Sequence, residues 1–539
     1  MSGHRLLRLA AAPGARRFAA GLNAIERVQR QQLASLLRQV AASEEGRRRG
    51  VRADWSWEQF RDRLPVTGYD DWREAIEQGR AGGDGRLIDS PLVRHQPTSG
   101  STSAMKWIPY SKRFLGELDA AISPWMADLY RRHPGLRRGG HYWSMSWIPT
   151  ELRESLREDV NDDLQLMSLG KRLLAGATQT VPQSVSRART SDDSLFATLA
   201  YLAADSRLSL ISVWSPTFGL GLLDALAAWR EELAGTLERG DWGERTEAMG
   251  GQRCPRSSWA AARLRAWDGQ DPGFFQRLWP RLALVSAWDT SASAPWAERL
   301  RERLPQAGFQ GKGLWATEGV VTIPYARRHL LAYRSHVYEF LDPEDDQVYA
   351  PWELRTGQRL IPLMSTGSGL LRYRLNDLVE VTGHLGTVPG LRFIGRLGST
   401  DLVGEKLTGQ AVRRALEQTD MPPRLAPVSV VAVDDSGQGK PGYILLLDGE
   451  PSRTDAEAAR VAAALEQALC ANFHYQLARN LQQLAPARCV ARPGMHGFYL
   501  EQCRRRGMIE GNIKIETLQH WRGALPDALR EAVSREAVS

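Results

Sequence analysis

The alternation of strand-like and helix-like stretches from Pro91 to about Asp289 constrains the fold of this chain most strongly. Leu208–Trp214 is an apolar run of strand type, whereas Phe218–Leu237 has helical periodicity. Leu282–Ser286 is again strand-like, and Ala294–Leu304 is again helical. This alternation predicts a layered α/β domain, which would bind ligands in the loops at the carboxyl ends of its strands.

The pattern changes after Thr400 and predicts a second, smaller α+β domain. Two strands, one long helix, a third strand and a short helix are expected at Val428–Val433, Tyr443–Leu447, Thr454–Leu481, Arg488–Ala491 and Phe498–Arg506. A chain of 539 residues also exceeds the roughly 250–300 residues at which a single hydrophobic core stops growing. We therefore expect a large domain over residues 1–398 and a small domain over residues 399–539.

The composition argues against several classes of function. The formal net charge of +8 is small for 539 residues and no nucleic-acid-binding pattern accompanies it, so we expect no nucleic-acid partner. The longest stretch of low charge, Leu208–Trp229, is interrupted by serine, proline and glycine, so no membrane span is expected. The four cysteines lack the spacing of a disulfide framework or a zinc site. Free thiols are typical of the cytoplasm, which is the expected location.

A run of small hydroxyl residues around a glycine, closed by a lysine, is the strongest chemical signal. It consists of Thr98, Ser99, Gly100, Ser101, Thr102, Ser103, Ala104, Met105 and Lys106. Hydroxyls and backbone N–H groups in such a loop can surround phosphate oxygens, and the glycine permits close approach. Lys106 is one of only seven lysines in the chain and would add a compact positive charge. A Ser/Thr-rich surface turn is the alternative interpretation.

This segment resembles the phosphate loop of the adenylate-forming enzymes, which has the form [ST]-[ST]-G-[ST]-[ST]-[GS]-x-x-K. The match runs from Thr98 to Lys106 without a gap. Ser103 stands where many members of that superfamily have a second glycine. The resemblance implies that the loop binds the phosphates of ATP.

A second segment, Gly313–Gly319, resembles the motif of an aromatic residue, two small residues and then [ST]-E in the same enzymes. By this resemblance, Glu318 would hold Mg²⁺ and Thr317 would contact the α-phosphate. Mg²⁺ is commonly held by one or two carboxylates together with substrate phosphates, so the chemistry is consistent. Leu314 departs from the motif, since an adenine-stacking aromatic residue is usual there, and Trp315 is bulky.

A third segment, Gly369–Asp377, is similar to the superfamily's Y-R-x-G-D motif, with Asn376 in place of glycine. The resemblance implies that Asp377 hydrogen-bonds the ribose hydroxyls of the nucleotide. A carboxylate that accepts two such donors makes a strong, orienting contact. Asparagine tolerates a left-handed backbone, so the turn can persist despite the change. An ordinary surface pair of Arg and Asp is the alternative.

The remaining segments of the resemblance lie around the expected domain boundary and near the C-terminus. By resemblance, Arg396 would lie near the ribose, Asp401 near the hinge and Lys406 near the nucleotide phosphates. Gly511–Lys514 is similar to the element that carries a late, mobile lysine on the small domain. The resemblance implies that Lys514 enters the site and neutralises the charge that develops between the carboxylate and the α-phosphate.

Within this superfamily the chain resembles the bacterial form of the Gretchen Hagen family of acyl acid–amido synthetases, the auxin- and jasmonate-conjugating type. The residues that carry this are Leu278–Pro280, Tyr338–Phe340, Leu371–Arg374, Asn472–Tyr475, Arg479 and Gly497–Phe498. The resemblance covers the chain from about Arg27 to Leu518. It implies a large layered α/β domain of the firefly luciferase-like type and a small, mobile C-terminal α+β domain.

The implied reaction has two steps and uses ATP and Mg²⁺. A small-molecule carboxylic acid attacks the α-phosphate to give acyl-AMP and pyrophosphate, and an amine, in the family usually an amino acid, then displaces AMP. An acyl-CoA or carrier-protein ligase that uses the same first step is one alternative. A binding protein that retains the fold without activity is another. The acyl pocket should be largely apolar, and we expect it to contain Trp147, Trp214, Phe218 and Trp315, for each of which core packing is the alternative.

Overall fold

The computed structural model describes residues 3–82, 87–97, 106–144, 176–271, 273–396, 399–400, 402–403, 405, 407–434, 440–450, 456–506, 508, 513–523, 525–527 and 529–530. The chain begins with helices α1 (Gly3–Ala20), α2 (Ile25–Ala42), α3 (Glu44–Arg48), α4 (Trp57–Arg63) and α5 (Asp70–Arg80). A hairpin of β1 (Leu92–Pro97) and β2 (Trp107–Ser111) follows, and then α6 (Lys112–Arg132). The Ser111 hydroxyl accepts from the N–H of Phe114 and thereby begins α6.

A four-stranded parallel sheet forms the centre of the large domain. Its strands are β3 (Gly140–Trp143), β4 (Leu208–Ser212), β5 (Leu284–Ala287) and β6 (Gly308–Gly311), and they are adjacent in chain order. Every residue of β4 and β5 is buried, because apolar cores cover the sheet on both faces. One face packs toward α6, and the other packs toward the helices that connect the strands.

In this region the sequence predicted helix only over Phe218–Leu237 and Ala294–Leu304. The described parts of the connections between the parallel strands contain six α-helices. They are α7 (Ser191–Ala204), α8 (Pro216–Ala228), α9 (Arg230–Arg239), α10 (Ser258–Arg265), α11 (Phe274–Leu278) and α12 (Ala294–Arg303). The single helix predicted over Phe218–Leu237 is wrong, since α8 ends and α9 begins around Trp229. The predicted alternation of strands and helices in a layered α/β domain is confirmed.

The chain then forms a hairpin and a larger antiparallel sheet. The strands are β7 (Trp315–Ala316), β8 (Gly319–Val320), β9 (Thr322–Tyr325), β10 (Arg328–Leu331), β11 (Val337–Leu341), β12 (Val348–Tyr349), β13 (Arg359–Ser365), β14 (Tyr373–Arg374), β15 (Asp377–Leu385) and β16 (Val388–Arg396). β7 and β8 pair with each other, and the larger sheet has the order β12-β11-β13-β15-β16-β10-β9, with β14 on β13. One apolar core joins this sheet to α2, α4 and α6.

The small domain is built on a four-stranded sheet that mixes parallel and antiparallel pairs. Its elements are β17 (Ser399–Thr400), β18 (Leu407–Thr408), α13 (Gly409–Gln418), β19 (Ala426–Val433), β20 (Gly442–Asp448), α14 (Ala456–Leu469), α15 (Phe473–Asn480), β21 (Arg488–Arg492), α16 (Met495–Arg505) and β22 (Leu518–Trp521). The sheet order is β21-β20-β19-β22. The small α+β domain was predicted correctly, whereas the boundary between residues 398 and 399 stays a prediction.

The long helix predicted over Thr454–Leu481 is wrong, because the structure divides it into α14 and α15. The side chain of Asn472 accepts hydrogen bonds from the N–H groups of His474 and Tyr475 and so begins a new helix. The Ala/Leu-rich composition of the segment concealed this capping signal. The small domain also packs against the large one, since the His496 ring of α16 stacks on Trp296 of α12 at 4.4 Å between centroids.

Candidate active site

Aromatic and basic side chains cluster where the parallel strands end. Trp214 lies two residues after β4, Trp288 directly after β5 and Lys312 directly after β6. The ring centroids of Trp214 and Trp288 are 5.5 Å apart, and Trp315 of β7 lies 6.0 Å from Trp214. The Lys312 ammonium nitrogen is 4.0 Å from the Trp214 centroid, and the residue is 3% exposed. The carboxyl end of the sheet therefore carries a largely apolar cluster that includes the buried cation of Lys312.

The structure brings together two of the four side chains expected in the acyl pocket. Trp214 and Trp315 are in contact, and Trp125 of α6 extends the cluster, 5.8 Å from Trp315. Phe218 lies on α8 and packs against the apolar core on the other face of the sheet. Trp147 lies outside the described residues.

The turn Thr317–Glu318 joins β7 to β8 next to this cluster. The Tyr110 hydroxyl donates to the carbonyl oxygen of Thr317 at 3.0 Å, and the Tyr373 hydroxyl donates to Glu318 Oε1 at 3.3 Å. Burial raises the pKa of Glu318, although the charges of Arg396 and Lys106 partly oppose this shift. Burial removes water from the Glu318 carboxylate, and a bound cation would compensate for that lost solvation.

Asp377 and Arg396 face each other across β15 and β16. The register pairs the two residues, and Arg396 Nε donates to Asp377 Oδ1 at 3.2 Å. Asp377 is only 5% exposed. A second nitrogen of Arg396 donates to Glu516 Oε1 at 3.0 Å, so the same guanidinium joins the large domain to the small one.

Lys514 of the small domain lies in the same site. Its ammonium nitrogen is 4.0 Å from the centroid of Trp288. Burial and then the charge of Arg396 lower the pKa of Lys514 to about 8, and the carboxylates of Asp377, Glu516 and Glu318 oppose this shift. Interactions between charges weaken with distance. Lys514 is therefore close to Arg396, Asp377 and Glu318, which were predicted from separate motifs.

The expected phosphate loop connects the two strands of the first hairpin. Pro97 on β1 pairs with Trp107 on β2, so the ends of the loop are held together. The Lys106 ammonium nitrogen is 5.4 Å from the centroid of Tyr69, whose hydroxyl accepts from the N–H of Trp107 at 2.9 Å. The predicted phosphate-binding residues Thr98, Ser99, Gly100, Ser101, Thr102 and Ser103 lie outside the described residues, as do Asp401 and Lys406.

Several side chains of this site were not assigned a role from the sequence. Glu516 lies two residues after Lys514, a spacing that could have signalled a shared face of an extended segment. Lys312 was visible only as one of seven lysines. Tyr110 gave no signal of its own, and Tyr373 was noted only as part of the Gly369–Asp377 motif. Their hydroxyl contacts depend on strands that are far apart in the chain.

The donor set around Glu318 fits a metal that arrives with a nucleotide. Within the part of the chain that the structure describes, no group of three or more His, Cys, Asp or Glu side chains could hold a metal by itself. A single carboxylate together with substrate phosphates is a common arrangement for Mg²⁺.

None of the described helices combines the length and apolar character that a membrane crossing requires.

Known proteins resemble this chain in both sequence and structure. The GH3 family N-terminal domain matches residues 14–308, the GH3 family central domain residues 329–396 and the GH3 family C-terminal domain residues 408–523. Indole-3-acetic acid-amido synthetase GH3.15 of Arabidopsis thaliana is 23% identical over 62% of this chain and 62% of its own length. Probable indole-3-acetic acid-amido synthetase GH3.2 of Oryza sativa subsp. japonica is 23% identical over 89% of this chain and 86% of its own.

The same fold is found in solved structures. AtGH3.15 acyl acid amido synthetase in complex with 2,4-DB has a TM-score of 0.78 at 16% identity, over 97% of this chain and 96% of that one. A second structure, GH3.15 acyl acid amido synthetase, has a TM-score of 0.76 at 18% identity, over 97% and 95% of the two chains. At these identities the likeness establishes the fold.

Proposed function

Because the chain belongs to the GH3 family, we propose that it is an ATP-dependent acyl acid–amido synthetase. It would adenylate a small carboxylic acid to acyl-AMP, release pyrophosphate and transfer the acyl group to an amine, in particular an amino acid. The observation that carries this proposal is the convergence of Lys106, Glu318, Asp377, Arg396 and Lys514 on one site at the carboxyl end of the parallel sheet.

In the first step, a carboxylate oxygen of the acid attacks the α-phosphorus of ATP and pyrophosphate leaves. Lys514 would neutralise the negative charge that accumulates between the two reactants. Asp377 would accept hydrogen bonds from the ribose hydroxyls, with Arg396 beside it. Positioning and charge stabilisation supply most of the catalysis in such a step, because no covalent intermediate with the protein is required.

We assign the phosphates of ATP to the loop Thr98–Ser103 together with Lys106, Thr317 and Lys406. The support for this is that Thr317 precedes Glu318 in one turn, and that Tyr110 of β2, the strand that follows Lys106, donates to the Thr317 carbonyl oxygen. Mg²⁺, when bound, would neutralise phosphate charge, and Glu318 is the protein carboxylate that would hold it. The raised pKa of Glu318 supports this role, because burial leaves its charge poorly solvated without a cation.

The acyl group would lie against the tryptophan cluster of Trp214 and Trp315, and we retain Trp147 as a candidate there. The carboxylate of the acid must reach the α-phosphate, and Lys514 lies over Trp288 at the edge of this cluster. In the second step, the amine nitrogen attacks the acyl carbon and AMP leaves, and the amine loses a proton. We further propose a cytoplasmic enzyme, since none of the four cysteines forms a disulfide bond.

A screen of carboxylic acids tests the proposal. Pyrophosphate release should require ATP, Mg²⁺ and one class of acid, and the product formed with amino acids should have the mass of an amide. If CoA, rather than any amino acid, yields a conjugate, the acyl-CoA ligase alternative is correct. If no acid supports pyrophosphate release by folded protein, the enzyme assignment is wrong.

A further inference from the structure

A buried polar pair, Glu117 and His336, lies beneath the Thr317–Glu318 turn. Glu117 is on α6 and is 8% exposed. Its Oε1 accepts from Arg113 Nε at 2.9 Å, and its Oε2 accepts from the N–H of Gly367 at 2.7 Å and from His336 Nδ1 at 2.8 Å. Three donors on one buried carboxylate fix its orientation.

The hydrogen bonds of His336 determine which ring nitrogen carries the proton. The residue is 1% exposed, and its Nε2 lies 3.1 Å from the backbone nitrogen of Val320. The N–H of Val320 donates, so Nε2 must accept and Nδ1 must carry the proton that is donated to Glu117. This assignment follows from the partners on both sides of the ring.

The ring of His336 lies directly against the backbone of the turn. Gly319 has a φ of +154°, and a Cβ atom at that position would be 2.7 Å from His336 Nε2. A residue with a side chain would therefore push the turn away from the ring. The hydroxyl of Tyr338 donates to the Val320 carbonyl oxygen at 2.6 Å, so both polar groups of Val320 are held by side chains of the same strand region.

The other end of the turn is tied to the same aromatic cluster. Phe114 stacks on His336, with 5.6 Å between centroids and 17° between planes, and Tyr110 packs on Phe114 at 4.6 Å. Tyr110 in turn donates to the carbonyl oxygen of Thr317. The four rings Tyr110, Phe114, His336 and Tyr338 thus hold the turn from Thr317 to Val320.

We propose that His336, oriented by Glu117, is a positioning residue that fixes Glu318 in the geometry with which it binds the metal of the Mg²⁺–ATP complex. This inference rests on the proposed function, because the metal role of Glu318 belongs to it. Glu117 also holds Gly367, in the loop that leads to Tyr373, whose hydroxyl donates to Glu318. The pair therefore links both segments that place the carboxylate. Substitution of a residue that supports a metal ligand without touching the metal commonly changes the metal affinity by roughly 10- to 100-fold.

Two substitutions of His336 each keep a different one of its two hydrogen bonds, the bond to Glu117 or the bond from Val320. In His336→Asn the side-chain nitrogen occupies the place of Nδ1, so the bond to Glu117 can persist while the acceptor for Val320 is lost. In His336→Gln the side-chain oxygen reaches the place of Nε2 and can still accept from Val320. Both variants keep a polar side chain at the buried position.

His4→Asn is the matched control, since it makes the same change at a second buried histidine. His4 is on α1; its Nδ1 lies 2.9 Å from the Tyr130 hydroxyl and its Nε2 lies 2.8 Å from the carbonyl oxygen of Gly139. Gly139 directly precedes β3, so this histidine lies at the amino end of the parallel sheet, away from the Thr317–Glu318 turn. The substitution should lower the melting temperature without changing the metal site.

The measurement is the calorimetric affinity for α,β-methylene-ATP with and without Mg²⁺, which requires no turnover. The gain in affinity on adding Mg²⁺ should fall about 10-fold or more in His336→Asn. It should stay within about 3-fold of the original in His336→Gln and His4→Asn. The positioning role is wrong if the two His336 variants behave alike, or if His4→Asn loses as much as His336→Asn. If the unsubstituted protein binds the analogue with no Mg²⁺-dependent gain, the metal role of Glu318 falls together with this inference.

Discussion

Lys514 of the small domain lies over the indole ring of Trp288, with its ammonium nitrogen 4.0 Å from the ring centroid. Trp288 follows the central strand β5 and contacts Trp214 of the proposed acyl pocket. The cation proposed to promote adenylation is therefore in contact with the wall proposed to hold the acid. This contact indicates where the carboxylate and the α-phosphate would meet.

The first prediction concerns the separation of the two half-reactions. Lys514→Met should slow acyl-AMP formation by roughly 100-fold, because one charge that stabilises the transition state is lost. Transfer from supplied acyl-AMP to the amine should change far less. Pyrophosphate release and amide formation measure the two steps, and Lys112→Ala on the exposed start of α6 is the control. Equal losses in both steps would contradict the assignment.

The second prediction concerns pH. The role proposed for Lys514 requires its protonated form, and burial and Arg396 lower its pKa to about 8. The kcat/KM for adenylation should therefore fall as the pH rises through about 8, since this parameter reports on the free enzyme. Lys514→Arg keeps its charge well above that pH and should lose this descending limb. An identical profile in both proteins would show that another group titrates.

The third prediction concerns the phosphate loop. Lys106→Ala should raise the KM for ATP by about 10-fold, the effect expected when a charge-assisted contact is removed. The KM for the acid should change little, because the Lys106 ammonium lies over Tyr69 and its charge acts on Glu318. Steady-state kinetics with each substrate varied in turn would measure both constants. An unchanged KM for ATP would argue against the phosphate role.

The fourth prediction concerns the choice of acid. Trp214→Leu should change the KM for the preferred acid by roughly 10-fold and alter the order of preference among acids, because it reshapes the apolar wall. The KM for ATP should stay nearly constant. Trp259→Leu on α10, which packs on the opposite face of the sheet, is the matched control. If both variants shift acid preference alike, Trp214 is a core residue only.

The fifth prediction concerns stability. Arg372 and Glu339 form a buried ion pair at 2.9 Å, and Arg372 has a φ of +48° just before Tyr373. Glu339→Gln leaves the guanidinium without its charge partner and should lower the free energy of unfolding by about 3 kcal/mol. Glu26→Gln removes an exposed pair with Arg30 and should cost at most about 1 kcal/mol. Denaturant titration of the three proteins would compare these costs, and equal values would refute the difference.

The fold was predictable from the sequence where a local pattern decides it. The apolar strand β4 and the small α+β domain were recognisable from periodicity alone. Helix boundaries were less so, because the break at Asn472 depends on a single capping side chain inside a continuous helical pattern. The break near Trp229 likewise lies inside an uninterrupted run of helix-forming residues.

The sequence by itself determined which residues we propose for the chemistry: a hydroxyl-rich loop closed by Lys106, the carboxylates Glu318 and Asp377, and the late lysine Lys514. Residue type and order suffice for that, since each motif is local in the chain. Only the tertiary structure decided that Lys514 contacts Trp288, that Arg396 joins Asp377 to Glu516, and that His336 supports the turn before Val320. These contacts join residues that are distant in sequence, and the arrangement of the sheets, which no local pattern encodes, brings them together.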